Sequence, residues 1–339
     1  MFLRKKIGID LGTANTLVYV NGKGVVLNEP TVVAYSTEDK RILAVGDEAK
    51  EMVGRTPGSI IASRPMREGV IADYTTTSAM ITYFLKKGLQ GRIFWPQVMI
   101  SIPGGASQVE KRAVVSACRG AGASDVYLIE EPLAAAIGAK IPIAQPSGHM
   151  IINMGGGTAE IAVISLGQLV AYKTVRTAGV KLDEAIMAHL RKKMNLVVGE
   201  RTAEDVKMKI GNAFIDEKEK NSEVNVKTME VKGRNFQTGM PMILEVGEDE
   251  INEALQKPLK QILEGVKEVL SGTPPELAAD IVDRGIVLSG GTSLLKNFDK
   301  YITYYTGVPA FVVEDPLFCV IRGIGMMLEN LHIYKEAIK

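Results

Sequence analysis

Short stretches of alternating or β-branched residues dominate the opening of the chain: residues 7–10, 16–20, 25–27 and 31–35 read as strands, with Asn21-Gly22 as a hairpin turn. The spacing then turns helical over residues 75–88, where Met80, Ile81, Phe84 and Leu85 share one face. Residues 98–102 form an apolar run that stops at Pro103-Gly104-Gly105, as a buried strand does. Ser107 with Glu110 three residues on predicts a capping box, opening a helix to about Arg119. A strand at 126–128, the acidic turn Glu130-Glu131-Pro132 and a helix at 133–138 follow. Farther on, 182–195 and 203–213 have amphipathic helical spacing, 216–222 is a polar loop, strands lie around 223–246, and a long helix runs from about 248 to 271. Residues 285–288 are again a strand, running into Ser289-Gly290-Gly291-Thr292, and strand, glycine turn and helix together make a phosphate-binding geometry.

Two of these strands end in the same signal. Ile7-Gly8-Ile9-Asp10-Leu11-Gly12-Thr13-Ala14-Asn15 and Ile151-Ile152-Asn153-Met154-Gly155-Gly156-Gly157-Thr158-Ala159-Glu160 each pass from an apolar strand through a Gly/Thr turn into a second strand. Glycine lets backbone N–H groups approach a phosphate with no Cβ in the way, and the hydroxyls of Thr13 and Thr158 add donors. An ionised Asp10 cannot donate to phosphate, so its work is to hold a hydrated Mg²⁺, or more simply to cap the turn. The second turn has the amide, Asn153, where the first has the acid. Neither a Gly-x-x-x-x-Gly-Lys-Ser/Thr loop nor a Gly-x-Gly-x-x-Gly after the opening strand occurs, so a nucleotide would lie between two similar halves.

Composition narrows the class. At 339 residues the chain exceeds one ordinary core, and two domains of about 150 residues are expected. A hydrophobic content of 46%, 23% charged residues and a net charge of +1 describe a soluble globular protein with no call for nucleic acid. Two cysteines, Cys118 and Cys319, fit buried thiols in a reducing cytosol. The three histidines lack metal-ligand spacing, no run of eighteen apolar residues occurs, and Met1-Phe2-Leu3-Arg4-Lys5-Lys6 enters the first strand without a signal-peptide core.

The first-turn Asp-x-Gly-Thr, the second-turn Gly-Gly-Gly-Thr and the late Ser-Gly-Gly turn resemble the actin, chaperone-ATPase and sugar-kinase superfamily, and within it the MreB family of bacterial actins. Ile9–Thr16, Leu27-Asn28-Glu29-Pro30, Gly54-Arg55-Thr56-Pro57, Arg64-Pro65-Met66-Arg67, Gly69-Val70-Ile71-Ala72-Asp73, Ile129-Glu130-Glu131-Pro132 and Gly199-Glu200-Arg201-Thr202-Ala203-Glu204 carry that likeness along nearly the whole chain. The resemblance implies an α/β, actin-like ATPase fold with two duplicated mixed-sheet domains around a central nucleotide cleft. Residues 1–145 and 316–339 would form the first half, with a small subdomain about 33–65, and 146–315 the second, with a small subdomain about 182–245.

It also implies ATP with Mg²⁺ as ligands: Asp10, through water, on the metal, and Gly12, Thr13, Ala14, Asn15, Gly155, Gly156, Gly157 and Thr158 around the phosphates. Glu204 and Lys207 would contact ribose and adenine, and Gly290 and Gly291 the adenosine. Glu131 would position the attacking water, with Thr158 beside the γ-phosphate. Without the resemblance, Glu131 is an acid favoured by a helix dipole and Glu204 with Lys207 a weak surface pair. The chain departs from the family at Asn153, where aspartate is usual, and at Thr292, Val180 and Lys209. An amide keeps hydrogen bonding but has no general-base capacity, so ATP binding with slowed hydrolysis is expected.

Ile93-Phe94-Trp95, set among Lys86, Lys87 and Arg92, matches the family's apolar membrane loop, and Met1, Phe2 and Leu3 followed by basic residues supply a second membrane element. The resemblance further implies head-to-tail protofilaments paired antiparallel through the helix near 107–119, bound to the cytoplasmic leaflet of the cell membrane and scaffolding the cell-wall elongation machinery. A kinase or a chaperone-type ATPase of the same superfamily is the alternative. A kinase needs a base aimed at a substrate hydroxyl, and a chaperone a peptide-binding domain after Lys339, and the sequence offers neither.

Overall fold

The computed structural model describes residues 5–90, 95–216 and 227–334. Two five-stranded sheets of identical topology carry the fold. In the first, Gly24–Pro30, Asn15–Val20 and Lys6–Leu11 form an antiparallel meander, after which Lys6–Leu11 pairs in parallel with Gln97–Ile102, and that strand with Asp125–Glu130. In the second, Gln168–Val175, Ala159–Ser165 and His149–Met154 form the meander, followed in parallel by Ile286–Ser289 and Ala310–Val312. Strand by strand, Asp10 of the first sheet therefore corresponds to Asn153 of the second.

Each sheet has a smaller companion. Val33–Ser36, Ile42–Val45 and Ile60–Ser63 pair beside the helix Asp47–Met52, and Leu196–Val197, Thr228–Asn235 and Pro241–Gly247 pair beside Gly179–Met194 and Glu200–Ile210. Local chemistry accounts for several boundaries. Asp73 accepts from Thr76 N at 2.7 Å and starts the helix Tyr74–Gly88. At Gln108–Gly120 the expected capping box is formed, with Ser107 N donating to Glu110 Oε2 at 2.6 Å and Glu110 N to Ser107 Oγ at 3.3 Å. The long helix spans Glu248–Ser271, and both cysteines are buried.

Other elements depart from the sequence reading. Helices Asp47–Met52, Pro275–Arg284, Phe298–Thr306 and Cys319–Glu329 were not anticipated, and the third glycine turn opens a 3-10 turn, Gly291–Leu294, rather than an α-helix. The polar loop predicted at 216–222 lies, after Asp216, outside the described residues.

Three cores result. Ile7, Ile9, Phe84 and Ile100 lie in one, under the first sheet, and Ile152, Ile161, Leu182 and Leu259 in another, under the second. The third joins the halves: Leu17 and Met99 from the first sheet and Ile151, Ala162 and Val287 from the second enclose helices Glu131–Gly138 and Cys319–Glu329. These two helices cross with their backbones in contact. A Cβ on Gly138 would stand 1.8 Å from Cys319 O, and one on Gly323 1.9 Å from Ala134 O.

Candidate functional site

Side-chain alternation decides what lines the space above that shared core. Ile7, Ile9 and Leu11 face the first core, so Gly8 and Asp10 face the crossing helices, and a Cβ on Gly8 would stand 2.5 Å from Ile324 Cγ2. In the second sheet Ile152 and Met154 face their own core, which turns Asn153 the other way, alongside Ile151. Its cross-strand partner Glu160 shares that face with Ala162 and Ile164, and its parallel partner Ser289 shares it with Val287. Glu131 begins the helix between them. Asp10, Glu131, Asn153 and Glu160 thus converge from four elements, three strands and one helix.

Matching serines secure the two corresponding residues. Ser101 Oγ donates to Asp10 Oδ1 at 2.8 Å while accepting from Leu11 N at 3.3 Å, and Ser289 Oγ donates to Asn153 Oδ1 at 3.0 Å. Glu160 Oε2 accepts from Gly104 N at 3.0 Å and Thr174 Oγ1 at 2.8 Å, whereas its buried Oε1 has no partner among the described residues. Sequence reading missed Ser101, Ser289 and Glu160, and the serines' place at the ends of equivalent strands was the signal that would have found them.

The two glycine turns face each other. A Cβ on Gly156 would stand 2.4 Å from Ala14 Cβ, and one on Gly157 2.2 Å from Thr13 Oγ1, so only glycine admits this approach. Thr13 Oγ1 accepts from Gly69 N at 3.1 Å. Gly12 O and Ala14 O accept from Thr31, while the Asn15 side chain is tied to Asn28 at 2.9 Å and so belongs to the neighbouring strand. On the other side Gly155 N donates to Thr158 O at 2.9 Å, and Thr292 Oγ1 donates to Gly155 O at 2.7 Å. Thr292, a departure from the family pattern, thereby ties the third turn to the second. Gly290 has φ +84°, and a Cβ there would meet Met154 O at 2.2 Å, with Gly291 next to it opening the 3-10 turn. Val180 contributes its backbone, donating to Gly156 O at 2.8 Å, and Lys209 is exposed.

Glu204 and Lys207 do not pair with each other. Glu204 meets Lys50 from helix Asp47–Met52 at 3.0 Å, and Lys207 Nζ reaches Asp183 Oδ1 at 2.8 Å and Gly179 O at 3.1 Å. Arg64 joins Glu200 beside them, Nε to Oε1 at 2.9 Å, and its Nη1 donates to Ala14 O at 3.4 Å. Two ion pairs, Lys50 with Glu204 and Arg64 with Glu200, therefore tie helix Glu200–Ile210 to the segment around the first small sheet. The i,i+3 spacing of Glu204 and Lys207 reflects one partly buried helical face rather than a surface pair.

Burial dominates the electrostatics. It pushes the carboxyl of Asp10 up to about 6 against the Ser101 hydrogen bond, and that of Glu160 up to about 7 against the bonds from Thr174, Gly104 and Thr158. Burial, then the charges of Glu160 and Asp10, raise Glu131 well above the usual carboxylate range. An acid whose pKa is higher folded than unfolded binds more protons in the folded state, so its contribution to stability is lost as pH rises from about 4 through the folded value. Without ligand the chain is expected to be less stable at pH 8 than at pH 5 by on the order of 2 kcal/mol. Thermal unfolding across that range reads this out, and Glu160→Gln should flatten the slope.

The same cluster bears on Mg²⁺. Asp10 forms no ion pair among the described residues, and converging buried acids favour a cation. No group of three or more His, Cys, Asp or Glu among the described residues is close enough to ligate one directly. These residues fit a metal held through water, with Asp10 as the acid that would carry it.

Trp95 is 70% exposed, and no helix among the described residues is long and apolar enough to cross a membrane. Met1, Phe2, Leu3, Ile93 and Phe94 lie outside the described residues.

Comparison with known proteins follows the same lines. The model of the MreB/Mbl protein family matches residues 4–336. The cell shape-determining protein MreB of Escherichia coli strain K12 is 47% identical over 335 residues, covering 97% of this chain and 94% of that one. The cell shape-determining protein Mbl of Bacillus subtilis strain 168 is 44% identical over 332 residues, covering 98% and 97%. The crystal structure of MreB5 of Spiroplasma citri bound to AMPPNP superposes with a TM-score of 0.92 at 35% identity, covering 99% of each chain, so the fold is actin-like.

Proposed function

The chain belongs to the MreB/Mbl family, and from that premise we propose that it is an ATP-binding, actin-like protein of cell shape, which assembles into filaments on the cytoplasmic face of the membrane. The observation that carries the nucleotide part is the apposition of Gly156 on Ala14 and of Gly157 on Thr13. Those backbones grip phosphates from both sides, Glu204, Lys207, Gly290 and Gly291 take the ribose and base, and ATP displaces Lys50 from Glu204 as it enters. Asp10 would hold Mg²⁺ through water, and the ion would supply charge neutralisation at the phosphates. Glu131 and Thr158 orient water on the γ-phosphate, and Asn153 keeps that step slow.

A nucleotide clamped between halves fixes the angle between them, and with it the surfaces offered to the next subunit. Head-to-tail contacts do not close on themselves, so they build protofilaments, which pair antiparallel through Gln108–Gly120. Filaments of this kind scaffold cell-wall elongation.

Membrane attachment is supported by strand register. Lys6 pairs with Gln97 and Gln97 N donates to Lys5 O at 3.0 Å, so Lys5 and the exposed Trp95 lie at the same end of two neighbouring strands of the first sheet. Burying one large apolar side chain is worth roughly 1.5–3 kcal/mol. Five or six partly inserted residues hold a monomer weakly, and a filament presenting many copies holds firmly. Replacing Phe94 and Trp95 by serine should abolish co-sedimentation with anionic liposomes in ATP. Unchanged sedimentation would refute the membrane role.

A further inference from the structure

Asn153 and Asp10 occupy equivalent positions, but their serines leave them with opposite faces. Ser101 donates to Asp10 Oδ1, and the acid's second oxygen remains an acceptor. Ser289 donates to Asn153 Oδ1, which leaves Nδ2 and its two hydrogens as the free end of the amide. Asn153 is 3% exposed, and its Nδ2 has no acceptor among the described residues. Turned about, the amide would offer Nδ2 to Ser289, and the hydroxyl hydrogen of this fully buried serine would then have no acceptor among the described residues. The arrangement with Nδ2 free is the one that satisfies both groups.

We propose that Asn153 is a direct hydrogen-bond donor to a nucleotide phosphate, with Ser289 as the positioning residue that aims it. The proposal rests on the nucleotide reading and deepens it. The two halves of the grip then differ in kind: the first approaches phosphate through a hydrated cation at Asp10, and the second through a neutral N–H that needs no metal. An aspartate at 153 would set a second negative charge against the phosphates, and a metal would have to offset it. The amide removes that requirement, so nucleotide affinity depends less on Mg²⁺ than in a chain with an acid in both turns.

The test is the dissociation constant for ATP and for ADP in excess Mg²⁺ and in EDTA, for the native chain, Asn153→Asp and Ser289→Ala. Removing Mg²⁺ should weaken native binding by no more than about threefold and Asn153→Asp binding by about tenfold or more, since without the cation the new carboxylate faces the phosphates with its charge unopposed. Ser289→Ala, which frees the amide to rotate, should fall between them. Native binding that weakens tenfold or more in EDTA would overturn the proposal, and this needs only the native chain if a variant fails to fold. Absence of nucleotide binding in Mg²⁺ and EDTA alike would instead overturn the nucleotide reading beneath it.

Discussion

Asn153→Asp is expected to raise phosphate release by about 10²-fold, the lower end of what a positioned general base contributes. The substitution is nearly isosteric, and Ser289 Oγ, at 3.0 Å from Oδ1, donates as well to a carboxylate as to an amide. The change therefore restores an acceptor on the face shared with Glu160 and adjacent to Glu131 without repacking the strand. That acceptor completes the set that can order water against the γ-phosphate. Affinity for ATP in Mg²⁺ should fall by about tenfold, since the Asn153 hydrogen bond is lost, while the glycine turns, Thr13 and Asp10 still hold the nucleotide. Equal turnover of the native and variant chains would sink the role assigned to this position.

Gly323→Val should cost about 3 kcal/mol of stability, at the upper end of overpacking penalties. Even the first added carbon would stand 1.9 Å from Ala134 O and 3.1 Å from Gly138 N, so the clash is with backbone and no rotamer relieves it. Helix Glu131–Gly138 must move, and Glu131 at its first position moves with it. Thermal unfolding and phosphate release should fall together. Gly120→Ala makes the comparison: a Cβ there meets nothing within 4 Å, so it should be neutral or stabilise by up to about 1 kcal/mol. A Gly323→Val chain that unfolds at the native temperature would contradict the crossing as described.

Much of this was legible in the chain because it is written locally. The capping box at Ser107 and Glu110, the hairpin turn at Asn21-Gly22 and the twin Gly/Thr turns each occupy a few consecutive residues, and the structure has them in place. The pairing of Asp10 with Ser101 spans 91 residues and that of Asn153 with Ser289 spans 136, and both follow from sheet order, which periodicity does not encode. Lys50 meeting Glu204 is likewise a product of how helices Asp47–Met52 and Glu200–Ile210 approach each other. Helix Pro275–Arg284 was hidden by Pro274-Pro275, which reads as a stop yet places proline at a first helical position. Helix Cys319–Glu329 was hidden by Gly323 and Gly325, poor helix formers retained for close approach to Ala134 and to the Tyr19 ring. Asn153 itself was visible as an amide in an acid's place, but only its serine says which end of that amide is free.

A nucleotide-loaded actin-like subunit of this kind should polymerise on a membrane, which electron microscopy of the purified chain with ATP, Mg²⁺ and anionic lipid bilayers reads out. Paired filaments should lie on the bilayer and be lost from it in the Phe94 and Trp95 serine variant. A chain that binds ATP yet remains monomeric with and without lipid, at every concentration tried, would contradict this reading.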